Sequence, residues 1–199
     1  YMNPVKSYLM IQKSYFEFGV RDFSFDCKDE LEKIYKATGM AKDLNLHVRI
    51  STHNNLCKVN LSKKFGVEGR EAYCLIRKAS EISQNIGVSF HVGSQCLSPE
   101  AYKIAIRKVS LIVKKSGIKI KFLNIGGGFP GQYSEKNLPT LTEYLRKINS
   151  EFRKNFNYYS DIKLLSEPGR VLVYNCMSLV VKVILKKKNK LFINDGIHG

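Results

Sequence analysis

Residues 118–131 read Ile118-Lys-Ile-Lys-Phe-Leu-Asn-Ile125 followed by Gly126-Gly-Gly-Phe-Pro-Gly131, an apolar strand-like stretch that ends abruptly in three consecutive glycines. Its periodicity of two predicts a strand, and helical periodicity flanks it, over Pro99–Lys115 before and Leu138–Phe156 after. Working outward, further strands are predicted over Val20–Phe25, Leu44–Ile50, Val88–His91 and Ile162–Leu165, and further helices over Pro4–Phe18, Asp26–Ala37 and Glu68–Ile86. Pro4 suits a first helical turn, and Gly19 an end. Such β-α alternation implies parallel strands joined by right-handed crossovers, in either an open doubly wound sheet or a barrel. The places where unusual residues fall favour the barrel. Arg49, His91–Ser94, Gly126–Gly128 and Glu167–Arg170 each close a strand. In a barrel all strand C-termini converge on one mouth, where active sites lie.

A complete barrel has about eight strands, whereas five are found before Arg170. The first predicted element is a helix without its strand, so three strands are expected upstream of Tyr1. After Arg170 the alternation stops. Strands are expected over Val171–Lys186 and Lys190–Asn194 without a helix, which divides the chain into barrel (1–170) and the start of a β domain (171–199).

The 199 residues suffice for a buried core, and an apolar share of 44% is ordinary for a globular chain. The apolar run 178–185 is interrupted by Lys182 and is far shorter than the roughly 20 residues that span a bilayer. A net charge of +16 brings nucleic acid into consideration. The lysines are scattered, however, no aromatic-basic interleaving accompanies them, and a general bias toward Lys, Ile and Asn accounts for the charge. Cys27, Cys57, Cys74, Cys96 and Cys176 contain no CxxC pair and no metal-ligand spacing. They read as reduced, mostly packed thiols of a cytoplasmic protein, with no metal site.

Each candidate motif has two readings. Gly126–Gly128 lets backbone N–H groups approach an anion such as phosphate, or serves as a tight turn. His91, in Phe90-His-Val-Gly-Ser-Gln95, is a site residue or a hydrogen-bonded structural histidine. Glu167 and Arg170, in Ser166-Glu-Pro-Gly-Arg170, are a functional pair or a salt bridge capping a turn. His53 lies in a polar loop and is expected at the surface, and His47 is expected to meet a packing or solvent-facing demand.

Taken in order, His-Val-Gly-Ser-Gln, Gly-Gly-Gly-Phe-Pro, Glu-Pro-Gly-Arg and Asn194-Asp-Gly196 resemble the decarboxylases that use pyridoxal 5'-phosphate (PLP) on an alanine-racemase-like TIM barrel. Tyr1-Met-Asn-Pro-Val-Lys6, Phe90–Gln95 and Gly128-Phe-Pro130 are most similar to the bacterial ornithine/lysine branch, and the resemblance spans the whole chain. It implies an α/β fold in the form of a partial β/α barrel, and decarboxylation of ornithine or lysine to a diamine in polyamine biosynthesis. By the same resemblance His91 stacks on the pyridine ring and Glu167 faces its nitrogen. Ser94, Gly127, Gly128, Gly169 and Arg170 hold the phosphate, Pro168 is a further cofactor-binding residue, and Arg49 helps orient the carboxylate. His198 stands where the family carries a tyrosine.

The family's covalent lysine lies on the first barrel strand. Lys6, expected in a helix beginning, is not assigned that role. The family works as a homodimer in which the partner supplies an acid for the distal amine and a cysteine proton donor, both expected beyond Gly199. The isolated chain is therefore expected to be inactive, with no nucleic-acid or membrane partner. The other possibility is a non-catalytic homologue resembling the antizyme inhibitors, or a remnant. Diaminopimelate is a weaker substrate choice, disfavoured by Phe129-Pro130.

Overall fold

In the computed structural model, residues 1–59, 64–133, 137–157 and 161–196 are described. His198 lies outside them. The elements run α1 (Tyr8–Phe16), β1 (Asp22–Phe25), α2 (Lys28–Ala37), β2 (Asn45–Ile50), β3 (Cys57–Val59), α3 (Gly69–Ile82), β4 (Asn85–Phe90), β5 (Ser94–Cys96), α4 (Glu100–Ser116), β6 (Phe122–Asn124), α5 (Leu141–Phe156), β7 (Lys163–Leu165), α6 (Arg170–Val173), β8 (Val183–Lys187) and β9 (Lys190–Ile193). Strands β1, β2, β4, β6 and β7 form one parallel sheet in that order. The five strands anticipated before Arg170 are thus the five of the sheet.

Alternation divides the sheet into two chemically distinct faces. Phe23, Phe25, Leu46, Val48, Ile50, Ile86, Val88, Phe90 and Leu123 are buried, and with Leu31, Ile34, Ile76, Val109 and Tyr144 of the helices they form the hydrophobic core. The other face is mostly polar, with Phe122 and Leu165 the apolar exceptions. The ladder registers line up Ser24, His47, Gly87, Phe122 and Lys163, and one step nearer the strand ends Arg49, Ser89 and Asn124. Gly87 is required there because a Cβ would stand 2.5 Å from Nδ1 of His47.

Several boundaries differ from the sequence expectation. The first helix begins at Tyr8, not Pro4: Ser7 caps it by accepting from Met10 N–H, while Lys6 is buried against Glu30 and cannot occupy an exposed helical turn. The helix expected to reach Ile86 ends at Ile82, because Asn85 and Ile86 pair with β2. The last long helix starts at Leu141, where Thr140 and Glu143 form a capping box. Beyond Arg170 the expected unbroken strand is a short helix, with β8 and β9 following as an exposed antiparallel hairpin. His47 is fully buried, its Nε2 at 2.7 Å from Asp22 Oδ1. His53 is exposed, as expected. The cysteines are not mostly packed: only Cys96 is buried, while Cys27, Cys74 and Cys176 are exposed, and all five are free. The antiparallel ribbon β3–β5 was not anticipated at all. No helix of the described residues is long and apolar enough to cross a membrane.

Candidate functional site

The C-terminal ends of β4, β6 and β7 open onto one cavity of about 230 Å³. It is lined by His91, Ser94, Gly127, Gly128, Phe129, Glu167, Gly169 and Arg170. Residues as far apart in sequence as Ser94 and Arg170 meet because parallel strands deliver their following turns to the same end of the sheet. Among the expected site residues, Arg49 and Pro168 are not part of this lining.

The glycine turn is held from beneath by aromatics. Tyr102 stacks on Phe129, and Tyr144 meets both rings edge-on. Tyr102 donates its hydroxyl proton to the Gly127 carbonyl at 2.9 Å, and Tyr144 donates to the Cys96 carbonyl at 2.7 Å. Burial pushes both phenols well above their ordinary value, so they remain donors. Cys96 N–H donates to Gly128 O at 2.8 Å, and Gln95 and Gly131 exchange two bonds. Among the described residues, the N–H groups of Gly127, Gly128 and Gly169 have no acceptor. Arg170 reaches Tyr133 Oη at 3.2 Å and Ser94 Oγ at 3.5 Å across the rim. Free amides, a hydroxyl and a guanidinium around one cavity form a donor set suited to a phosphate.

Glu167 stands opposite. Its N–H donates to Gly126 O at 2.9 Å, and its Oε1 accepts from Asn124 Nδ2 at 2.7 Å. Oδ1 of Asn124 in turn accepts from Gly126 N–H at 2.8 Å, closing an Asx turn. The buried Asn124 therefore ties the carboxylate to the glycine turn. It was missed in the sequence, although an Asn two residues before a glycine at a strand end is the signal for such a turn. Arg49 makes no ion pair with Glu167 among the described residues. It lies within electrostatic range: burial lowers its pKa, and the Glu167 and Asp26 carboxylates only partly offset that lowering.

His91 Nδ1 accepts from Gly93 N–H at 3.0 Å, which leaves its ring proton on Nε2. Burial, reinforced by Arg49, lowers its pKa from 6.5 to about 4. The unfolded chain therefore binds the extra proton, and stability is lost as pH falls from about 6.5 toward 4. By pH 5 this amounts to at most about 2 kcal/mol. The urea midpoint should fall less between pH 7 and pH 5 in His91→Gln than in the parent; equal falls would refute the linkage.

Lys6 lies away from the cavity, at 3.1 Å from Glu30 and donating to Asn3 O and Ser24 O.

Comparison with known proteins gives a consistent picture. Residues 1–174 match the model of the pyridoxal-dependent decarboxylase family's pyridoxal binding domain. The chain is 34% identical to ornithine decarboxylase of Mus musculus and 33% identical to antizyme inhibitor 2 of Xenopus laevis, in each case over 100% of this chain and 47% of the relative. A solved complex of an SrLDC mutant with PLP superposes with a TM-score of 0.81 at 32% identity, over 100% of this chain and 52% of the other. A lysine/ornithine decarboxylase of Vibrio vulnificus complexed with putrescine superposes with a TM-score of 0.78 at 28% identity, over 100% and 53%. The chain thus spans about half the length of the proteins it matches.

Proposed function

The chain belongs to the pyridoxal-dependent decarboxylases, and from that premise we propose that it is the cofactor-holding part of an enzyme that converts ornithine or lysine to its diamine. The carrying observation is the single cavity that joins His91, Ser94, the glycine turn, Glu167 and Arg170. Its residues fit PLP: unengaged amides, a hydroxyl and a guanidinium suit the phosphate, and a carboxylate suits a ring nitrogen that bears a proton. The barrel part is taken to be residues 1–170, with 171–199 opening a β domain. We take the setting to be polyamine synthesis by a cytoplasmic homodimer, as the family resemblance of the sequence motifs implies.

Bound PLP supplies an electron sink for the pair released when carbon dioxide leaves the substrate. Each residue has a distinct part. Ser94 and Arg170, with the N–H groups of Gly127, Gly128 and Gly169, fix the phosphate. Glu167, oriented by Asn124, holds the proton on the ring nitrogen. His91, neutral at pH 7 because its pKa is about 4, presents an uncharged face to the ring. Arg49 adds positive potential behind Glu167, and Pro168 stiffens the link from Glu167 to Gly169.

No lysine lines the cavity among the described residues, so the proposed binding is noncovalent. Titration with PLP followed by absorbance should show saturable binding with the free-aldehyde band retained. Arg170→Ala and Glu167→Ala should each weaken it about tenfold or more, since a charge-assisted hydrogen bond contributes about 1.5–3 kcal/mol. Borohydride should leave no adduct. Absence of saturable binding, or one lysine fixed by borohydride, would overturn the reading. The likeness to antizyme inhibitor 2 favours a second reading, a non-catalytic homologue. Reading the coding sequence on both sides of this frame separates the two.

A further inference from the structure

Cys57 and Cys96 stand directly opposite each other in the antiparallel ribbon β3–β5. The bond from Leu97 N–H to Leu56 O, 2.7 Å, flanks the pair instead of joining it. That makes it a non-hydrogen-bonded pair, whose Cα atoms approach to about 4.5 Å with both side chains on one face. Disulfides span Cα separations of about 4.4–6.8 Å. We propose that Cys57 and Cys96 are a modification site: a dithiol that hydrogen peroxide converts to a reversible disulfide across the ribbon beside the glycine turn.

The surroundings support the pairing. A Cβ on Gly93 would fall 2.3 Å from Cys57 Sγ, so the sulfur is packed under the backbone that leads to Ser94. Cys96 Sγ donates to Ser98 O at 3.3 Å. Burial raises both thiols, and with a smaller contribution from the neighbouring Cys57 it takes Cys96 to about 11. Both are protonated at neutral pH, so excess peroxide is needed. The remaining cysteines are exposed, Cys74 on α3 and Cys27 and Cys176 outside the helices and strands.

The chemistry balances. Sulfur of Cys57 attacks one peroxide oxygen and the O–O bond breaks. Cys57 becomes a sulfenic acid, and the departing hydroxide takes the thiol proton and leaves as water. Sulfur of Cys96 then attacks Cys57 sulfur, the S–O bond breaks, and the released hydroxide leaves as a second water with the Cys96 proton. Two electrons pass from the sulfurs to peroxide, and dithiothreitol reverses the change. Because Cys96 N–H is bonded to Gly128 O, the new link would fasten β3 to β5, the strand whose Cys96 holds the glycine turn.

The test uses the 199-residue chain with Cys27, Cys74 and Cys176 all changed to Ser, which leaves only this pair. After peroxide treatment of the folded protein, both thiols should be lost to Ellman titration. The intact mass should fall by about 2 Da, a peptide linking the two cysteines should appear, and dithiothreitol should restore both thiols. In the parent chain Cys57→Ser should remove the linked peptide; β3 is short and half-exposed, so the fold should persist with an unchanged urea midpoint. Persistent thiols, oxygen adducts in place of the mass loss, or disulfide-linked dimers would each overturn the proposal.

Discussion

Gly128→Ala is expected to weaken PLP binding by about a hundredfold or more and to destabilise the fold by about 3 kcal/mol. Two independent costs combine. At φ +103° a residue with a Cβ is strained by about 1–3 kcal/mol. The new methyl would also stand 2.3 Å from Gly93 O and 3.1 Å from Val92 Cγ2. The first of these is backbone and cannot swing aside, so the glycine turn and the turn before β5 must separate, and overpacking adds about 1–3 kcal/mol. Separation would break the bond from Cys96 N–H to Gly128 O and carry the free N–H groups away from Ser94 and Arg170. Gly169→Ala is the control for stability: no atom lies within 4 Å of its Cβ position and its φ is −118°. Its unfolding free energy should change by no more than about 0.5 kcal/mol. Urea titration and absorbance titration with PLP check both effects, and unchanged PLP affinity in Gly128→Ala would remove the glycine turn from the cradle.

Glu30→Ala should be the largest single loss of stability away from the cavity, about 3–5 kcal/mol. Glu30 is 4% exposed and faces Lys6, whose side chain is fully buried; its other oxygen pairs with Lys33 at 2.5 Å. One oxygen also accepts from Lys6 N–H at 3.2 Å. Without Glu30 the Lys6 ammonium keeps two carbonyl acceptors but loses its buried counter-charge. The double variant Lys6→Met with Glu30→Leu should recover at least about 1.5 kcal/mol relative to Glu30→Ala, because no unpaired buried charge is left. The pH dependence has a fixed sign. Burial holds the Lys6 pKa below 10.5 in the folded chain, so the unfolded chain binds more protons between the two values and stability rises with pH there. Loss of Glu30 lowers the folded value further and widens that window downward. Urea midpoints from pH 7 to pH 10 test this, and an additive double variant would show that the pair is uncoupled.

Lys6 also shows where sequence reasoning stops. Its neighbours Pro4 and Val5 permit a helical start, and nothing local reveals that Glu30, on the next helix, will bury it. His47 poses the same problem. On an alternating strand it is compatible with packing or with solvent, and only Asp22 on β1 and the bare Gly87 on β4 explain why it is fully buried. The ribbon β3–β5 was invisible because its strands are three residues each, too short for an alternation to register. Asn124 was overlooked beside the more conspicuous glycines, although the Asx turn it closes is a local pattern.

Sequence by itself determined the parallel α/β architecture, the five sheet strands and, Arg49 apart, the polar or glycine-rich strand ends that gather at one cavity. These follow from side-chain periodicity and from the glycine requirement of tight turns, which are properties of consecutive residues. Tertiary structure decided which groups touch: Asn124 rather than Arg49 at the Glu167 carboxylate, Tyr102 under the glycine turn, Glu30 on Lys6, and Cys57 against Cys96. Such pairings join residues on different elements, and they are fixed by strand register and helix packing, which no single segment encodes.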